Sequence, residues 1–296
     1  MKEKNLINMK TIGIITMEKV ENREFNSVGS SRIRARWLLP YWEEAEEYHI
    51  GRKYDVLIFQ KAYYKKMLQD FQGIKIFDIC DPDWLEPKPV FETISYCNAV
   101  VCATETLAEY IKKFVKNKPV IIIPDRVNLD EVKIIHPEHK EKAKTCVWFG
   151  YSSNLIYVER TFDFLASMGL SLTIISETTM ALPQTKLDYK FIKYRFNLIN
   201  EEVVKYDFVI MPDTSPDTLD LNGRLKYKSN NKTIQSWAWG MPVAYNPKDI
   251  ERFMSGEERE KERLLRLKEV KEKWDVRLSV KEYKELILEL KGVNSK

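Results

Sequence analysis

The sequence is short of several things, and each shortage closes off a class of function. It holds 3 histidines and 4 cysteines in 296 residues. The cysteines (Cys80, Cys97, Cys102, Cys146) sit singly inside apolar runs with no CxxC pair. Thiols of this kind behave as small buried hydrophobes in a reducing compartment, so neither a disulfide scaffold nor a zinc module is expected. His136 and His139 have helical i,i+3 spacing, but Pro137 between them argues for a turn, and no metal site is expected. No apolar run approaches the roughly 18 residues of a membrane span, and mean hydropathy is -0.41. The opening residues carry only a short apolar run and no small-residue cleavage site, so no signal peptide and a cytoplasmic location are expected. Neither charge sign dominates: 48 Lys and Arg stand against 44 Asp and Glu, a net of +4. A dedicated nucleic-acid binder is usually more basic, which leaves only a local patch for such a role. Neither GxGxxG nor a Walker loop ending in GK[ST] is present.

What is there is material for packed cores, with 44% hydrophobic and 12% aromatic residues, in a chain long enough for two domains. Short apolar runs alternate with longer amphipathic stretches, the sequence form of an α/β protein with parallel strands. In the first half, strands are predicted over 11–16, 54–60, 75–80, 99–104 and 120–124, giving five strand–helix units. Helices are predicted over 32–48, 61–70 and 105–115. A polar, Lys/Glu-rich tract over 128–144 is the expected linker. The alternation then resumes, with strands over 145–149, 170–176, 189–194 and 207–211. The helices predicted there are one reaching residue 168, a short one over 200–205, a charged one over 257–273, and a last one over 280–290 with a single apolar stripe. A long polar loop is predicted to run up to Asn222. The expected domains are therefore 1–127 and 145–275, with 276–296 as a C-terminal helix.

The chain is organised around residues 224–243, RLKYKSNNKTIQSWAWGMPV. Ser229 or Asn230 is a good N-cap, Gly240 supplies the left-handed residue that ends a helix, and Pro242 prevents continuation. The helix between them would bury Ile234, Trp237 and Ala238 on one face and show Asn231 and Gln235 on another. Lys226, Lys228 and Lys232 gather at its N-terminus, where free N–H groups and the helix dipole favour an anion such as phosphate; a solvated basic helix start is the plainer alternative. In the first half, a Ser/Gly loop with Gly29 and Ser30, followed by Arg32 and Arg34, forms a second candidate cradle. Asp81 and Asp83 lie just past a predicted strand, where open α/β sheets place ligands, although they also suit a capped turn around Pro82. Lys61 follows another strand in the same way. Arg32, Arg34, Arg36, Trp37 and Trp42 make a basic, aromatic-interleaved stretch suited to DNA phosphates, an anionic membrane or a charged glycan. The other reading packs Trp37 inward and leaves the arginines solvated.

Several segments, taken in order, resemble GT-B fold glycosyltransferases, and the second half resembles their family-four-like branch (glycosyl transferases group 1). Ile121-Ile122-Ile123-Pro124 looks like the strand closing the first domain, and Val147-Trp148-Phe149-Gly150 like the first strand and glycine turn of the second. Asp207–Pro212, Asn231-Lys232 and Gly240-Met241-Pro242-Val243 look like the donor-binding unit. The resemblance implies two Rossmann-like domains with parallel sheets facing a central cleft. It further implies metal-independent, cofactor-free transfer of a sugar from a nucleotide-sugar donor to an acceptor hydroxyl, with retained configuration. Donor-binding residues would be Gly150, Tyr151, Arg224, Lys226, Ser229, Asn230, Asn231, Lys232, Thr233 and Gln235. Lys232 and Asp81 would be catalytic, and Gly29, Ser30, Arg32, Lys61 and Asp83 would line the acceptor side. The chain departs from the pattern in three places. Tyr227 and Gln235 stand where the family has two glutamates, and Asp81 where relatives often have histidine. Those departures keep two alternatives open: an epimerase or hydrolase of the same fold, and a non-catalytic nucleotide-binding module. A glycan or a modified nucleic-acid base fits as acceptor, and peripheral membrane contact and the oligomeric state stay open.

Overall fold

The computed structural model describes residues 11–20, 28–178, 185–195, 198–214, 220 and 223–293. Most of the polar loop predicted before Asn222 lies outside the described residues. The chain divides into two α/β units. Unit 1 takes the chain to Asn128, the four residues Lys226–Ser229, and everything from Asp275 on. Unit 2 takes Leu129–Leu225 and Asn230–Trp274.

Unit 1 is built on β1 (Ile12–Thr16), β2 (Ala45–Glu47), β3 (Val56–Gln60), β4 (Ile74–Ile79), β5 (Ala99–Cys102) and β6 (Val120–Ile122). They form one all-parallel sheet in the order β2-β1-β3-β4-β5-β6. Parallel sheets are covered on both faces, and accordingly β1, β3 and β5 are buried at every position. One face holds an apolar core in which Ile15, Leu57, Phe59, Phe77, Ile79 and Val100 pack with Leu107 and Ile111 of the Glu105–Lys112 helix. The other carries polar groups at its C-terminal edge, because Thr16 pairs Gln60 and Gln60 pairs Asp78 in register. The Val276–Val293 helix buries Tyr283, Leu286, Ile287 and Leu290, the stripe expected of it.

All five strands expected in this half form, and a sixth appears where a helix was expected. Residues 32–48 are not one helix: Arg32–Arg36 is a π-type turn, Leu39–Tyr41 a 3-10 turn, and Ala45–Glu47 the edge strand β2. Pro40 has no N–H to carry a helix through. The Glu44 carbonyl instead accepts from the N–H groups of Thr11 and Ile12, which starts β2 beside β1. Glu46 and Glu47 blunt that exposed edge. The helix expected from Lys61 begins only at Lys65, because Lys61 itself lies in the left-handed region with φ of 50°.

Unit 2 contains β7 (Thr145–Phe149), β8 (Ser171–Ser176), β9 (Tyr189–Lys193), β10 (Phe208–Ile210) and β11 (Val243–Ala244). They too are all parallel, in the order β11-β10-β7-β8-β9. The chain starts in the middle, runs out to β9 and returns to β10, so the strand order reverses between β7 and β10. The helix expected to reach residue 168 breaks in two, Leu155–Glu159 and Phe162–Ser167. There the Thr161 hydroxyl turns back onto the Val158 carbonyl, a local bond that competes with the helix ladder. The organising helix runs Asn231–Ala238, and Gly240 ends it with φ of 72°. Among the described residues no helix is long and apolar enough to cross a membrane.

Candidate functional site

In an open parallel sheet, ligands bind beyond the carboxyl ends of the strands, where the strand order reverses. In unit 2 that place is bordered by Gly150 after β7, by Asp213 after β10, and by the first turn of the Asn231–Ala238 helix. Lys232 on that turn reaches back over the sheet. Its Nζ lies 3.4 Å from Asp213 Oδ2 and 5.5 Å from the centre of the Trp148 ring. A Cβ on Gly150 would stand 2.8 Å from Lys232 Nζ and 2.8 Å from the Trp148 ring. Only glycine leaves room for all three. The Asn230 side chain makes no cap bond to the first turn of the helix.

The turn after β7 is tied to the end of β8. Gly150 N donates to Ile175 O, and Ser152 donates to Glu177 through both N and Oγ. Burial works against the Glu177 charge, but bonds from Ser152 and Ser176 outweigh it and hold the carboxyl below its ordinary range. Tyr151, between these anchors, is exposed. Asn231, Lys232 and Gln235 are half-buried and Asn230 is exposed. Thr233 is buried, and its hydroxyl has no hydrogen-bond partner among the described residues. Arg224 is half-buried and its N–H donates to Asp220.

In unit 1 the sequence-predicted groups Lys61, Asp81 and Asp83 meet at the ends of β3 and β4. Lys61 Nζ lies 2.5 Å from Asp81 Oδ2 and 3.3 Å from Asp83 Oδ1. Tyr63 donates to Asp83 at 2.6 Å. Burial opposes the Asp81 charge, but Lys61 outweighs it and holds Asp81 below the usual carboxylate range. Asp81 is thus a fixed, half-exposed anion, whereas Asp83 is buried. Gly29 and Ser30 lie close by in sequence to Ser31, whose hydroxyl donates to Gln60 Oε1.

The basic, aromatic stretch is not a surface. Trp37 and Trp42 are buried, and Arg32 is buried with its guanidinium 5.6 Å from the Trp37 ring. Arg36 pairs with Glu18 and Glu47. Arg34 is enclosed: Nε and Nη2 grip both oxygens of Asp78, while Nη1 donates to Ile123 O and to Asp125. Tyr283 from the last helix also donates to Asp78. The arginines are not solvated: Arg34 and Arg36 are neutralised by carboxylates within the unit, and Arg32 is buried against Trp37. Sequence reasoning passed over Asp78 and Asp125. The available signal was an aspartate inside the apolar strand KIFDIC, a position no unpaired carboxylate occupies.

Residues Lys226–Ser229 belong to unit 1. Tyr227, at a place the resemblance gives to glutamate, is buried, edge-on to Trp84 at 5.1 Å. Ser229 does not cap the following helix, because its hydroxyl donates to Asp125 at 2.5 Å. Lys226 is exposed. Among the described residues no group of three or more His, Cys, Asp or Glu is placed to hold a metal ion.

No protein-family model and no curated protein matches the sequence. Solved structures do. TarM is similar with a TM-score of 0.59 at 10% identity, over 85% of this chain and 57% of TarM. The DNA modifying enzyme beta-glucosyltransferase, solved in the presence and absence of the substrate uridine diphosphoglucose, is similar with a TM-score of 0.60 at 11% identity, over 93% and 99% of the two chains. An alpha-glucosyltransferase in complex with UDP and a 13-mer DNA containing a HMU base gives 0.55 at 13% identity, over 79% and 80%. This chain therefore spans little more than half of TarM and nearly all of the beta-glucosyltransferase. With its two sheets of parallel strands flanked by helices, the chain has the α/β fold of the GT-B glycosyltransferases.

Proposed function

We propose that the chain is a glycosyltransferase that moves a sugar from a nucleotide-sugar donor to an acceptor hydroxyl, and that the donor diphosphate binds at the C-terminal edge of the unit 2 sheet. One observation carries this reading: Lys232, a helix start that the Asn230 side chain does not cap and a glycine with no room for a side chain converge where the strand order reverses. Backbone N–H groups and a fixed ammonium stabilise charge on a departing diphosphate without reorganising during the reaction. Lys232 has this role, with the N–H groups of Asn231 and Thr233 beside it. Gln235 contacts the ribose through its amide, and Tyr151 and Arg224 flank the nucleotide. Asp81, kept ionised by Lys61, accepts a hydrogen bond from the acceptor hydroxyl, with Asp83 fixing that arrangement. The fold shared with enzymes solved with UDP-glucose or UDP supports a uridine nucleotide as the first donor to try.

Thermal unfolding of the full chain with UDP-, GDP-, dTDP- and ADP-sugars tests the donor site. A ligand at a hundred times its Kd adds about 2.7 kcal/mol of stability, and Lys232→Ala should remove most of that shift. If none of the four moves the melting curve, the donor site is not where we place it. Release of nucleoside diphosphate with no acceptor present would identify an epimerase or hydrolase instead. Nucleotide binding without turnover in the presence of cell extract would identify a binding module.

A further inference from the structure

Lysines at a helix C-terminus suit the helix dipole, but one such end in unit 1 carries more charge and more bare aromatic surface than that accounts for. The Glu105–Lys112 helix runs out through Lys112-Lys113-Phe114-Val115-Lys116-Asn117-Lys118, four lysines with no carboxylate among them. Lys118 is spent inside the unit, where its Nζ donates to the carbonyls of Ile94, Ser95 and Cys97. Lys112, Lys113 and Lys116 are exposed, and none of them makes an ion pair among the described residues. The charged Gly256–Lys273 helix differs, since Lys261, Arg263, Arg266 and Lys268 each meet a glutamate three or four residues away. Amid the unpaired lysines Phe114 is 60% exposed. Its ring lies 4.9 Å from that of Phe91 and 5.4 Å from that of Tyr110, and Tyr110 stacks on Trp84 at 4.3 Å. Phe91, Tyr110 and Trp84 are half-buried, and Leu85, next to Trp84, is 47% exposed. Linked rings thus form a strip open to solvent, with Lys113 Nζ 5.8 Å from the Tyr110 ring. Of the acids close by in sequence, Glu92 pairs with Lys65 and Glu86 with Lys88. Glu105 and Glu109 stand one to two turns back along the helix.

We infer that this strip docks unit 1 on the surface of an anionic lipid bilayer, with Phe114 and Leu85 entering the headgroup–acyl boundary and Lys112, Lys113 and Lys116 facing anionic headgroups. Reversible attachment of this kind takes an apolar contribution and a basic one together, and here both come from one short segment. Rings with an apolar body and a polar tip, such as Trp84 and Tyr110, suit the boundary between lipid and water. The long lysine stems let the ammonium groups reach headgroup level beside a buried ring. Nucleic acid fits less well: phosphates would answer the lysines, but base stacking needs open ring faces, and Trp84 and Tyr110 already cover each other. Every residue involved belongs to unit 1, so this attachment stands apart from the donor site proposed in unit 2.

Co-sedimentation of the full chain with vesicles provides the test. The wild type should bind mixed phosphatidylcholine–phosphatidylglycerol vesicles at about 0.1 M salt and leave them at about 0.5 M. It should bind pure phosphatidylcholine at least about tenfold more weakly. Replacing Lys112→Gln, Lys113→Gln and Lys116→Gln together should lower partitioning onto the mixed vesicles by about a hundredfold. Phe114→Ser should lower it by about tenfold. A control set, Lys261→Gln, Lys268→Gln and Lys281→Gln, removes the same net charge from exposed lysines that already meet glutamates. That set should change partitioning by less than about threefold. All these side chains are exposed, so the variants should melt with the wild type. Equal losses from the two triple variants would mean attraction by net charge alone and would overturn the docking surface. Failure of the wild type to bind the mixed vesicles would overturn it outright. Binding of a DNA oligomer that the Lys112, Lys113 and Lys116 variant loses, with no binding to vesicles, would make the strip a nucleic-acid surface instead.

Discussion

Each unit places a lysine at the carboxyl edge of its sheet, and the two are used in opposite ways. Lys61 of unit 1 is 8% exposed, with carboxylates at 2.5 and 3.3 Å. Its backbone is left-handed, a conformation that costs a non-glycine residue on the order of 1–2 kcal/mol. Lys232 of unit 2 is 24% exposed on its side chain and, among the described residues, pairs with one carboxylate, at 3.4 Å. Lys61 is thus saturated by its own unit, and its charge goes into holding Asp81 and Asp83. Lys232 is only loosely neutralised and has charge left for an anion. The two lysines reach the same kind of place from different signals, one just past a strand and one on a helix start, and the number and closeness of the carboxylates around each decide what it does.

The largest effect that would sharpen this contrast is on stability. Lys61→Ala removes the nearest cation from both Asp81 and the buried Asp83, leaving Asp83 with Lys88 at 3.6 Å. Removing one partner of a buried pair costs 3–5 kcal/mol; because Asp81 is partly solvated, about 3 kcal/mol is expected. Lys232→Ala removes one ammonium at 3.4 Å from the fully buried Asp213, so it should cost about 1–2 kcal/mol, less than Lys61→Ala, while abolishing the nucleotide-induced shift. Urea unfolding of both variants without ligand measures the difference. Equal losses would show that the two lysines play the same structural part.

Acid should separate the units as well. In unit 2 the rings of His136 and His139 stack at 3.9 Å. Arg259 Nε donates to His139 Nδ1, and His139 Nε2 faces the Gly240 carbonyl, which together fix a neutral tautomer. Glu260 also faces His139, and Arg263 faces His136. Burial, and then the neighbouring His136, push His139 down to about 4, whereas an unfolded histidine titrates near 6.5. Below pH 6.5 the unfolded chain therefore binds a proton that the folded one refuses. Stability falls from there to about pH 4, by at most about 3 kcal/mol. Asp81 in unit 1 behaves otherwise: its carboxyl is held low, so its contribution persists until the pH drops through the carboxylate range. Melting temperatures between pH 7 and 4.5 should decline, and His139→Gln should flatten the decline. A slope unchanged by that substitution would place the sensitivity elsewhere.

What the sequence made legible follows from the reach of its signals. The parallel strands were readable because continuous apolar runs such as YDVLIFQ leave few other ways to be buried. Gly240 and Pro242 marked the end of the organising helix for equally local reasons. The edge strand β2 was not readable, since Ala45-Glu46-Glu47 has no apolar alternation and exists only through its pairing with β1. Lys61, Asp81 and Asp83 were singled out one by one from their place after strands, and the structure brings them together. Pairs such as Arg34 with Asp78 and Ser229 with Asp125 join residues 44 and 104 positions apart, beyond anything periodicity reports. The arginine-rich stretch misled for the same reason: local composition shows charge, and only the fold shows which charges are already answered.

The smallest change proposed is a single methyl group, and it tests the unit 2 side of the contrast directly. Gly150 is not among the glycines with positive φ, so alanine is allowed there by the backbone. What excludes it is space, since the new Cβ would stand 2.8 Å from both Lys232 Nζ and the fully buried Trp148 ring. The lysine tip is flexible and the indole is not, so the ammonium moves. Gly150→Ala should therefore cost about 1–3 kcal/mol of unfolding stability, set by the contact with the fixed indole and only partly offset by reduced unfolded-state entropy. Nucleotide binding should weaken several-fold, in the same direction as Lys232→Ala but less. Unchanged binding in a folded Gly150→Ala protein would mean that the position of Lys232 over the turn after β7 is not what holds the diphosphate.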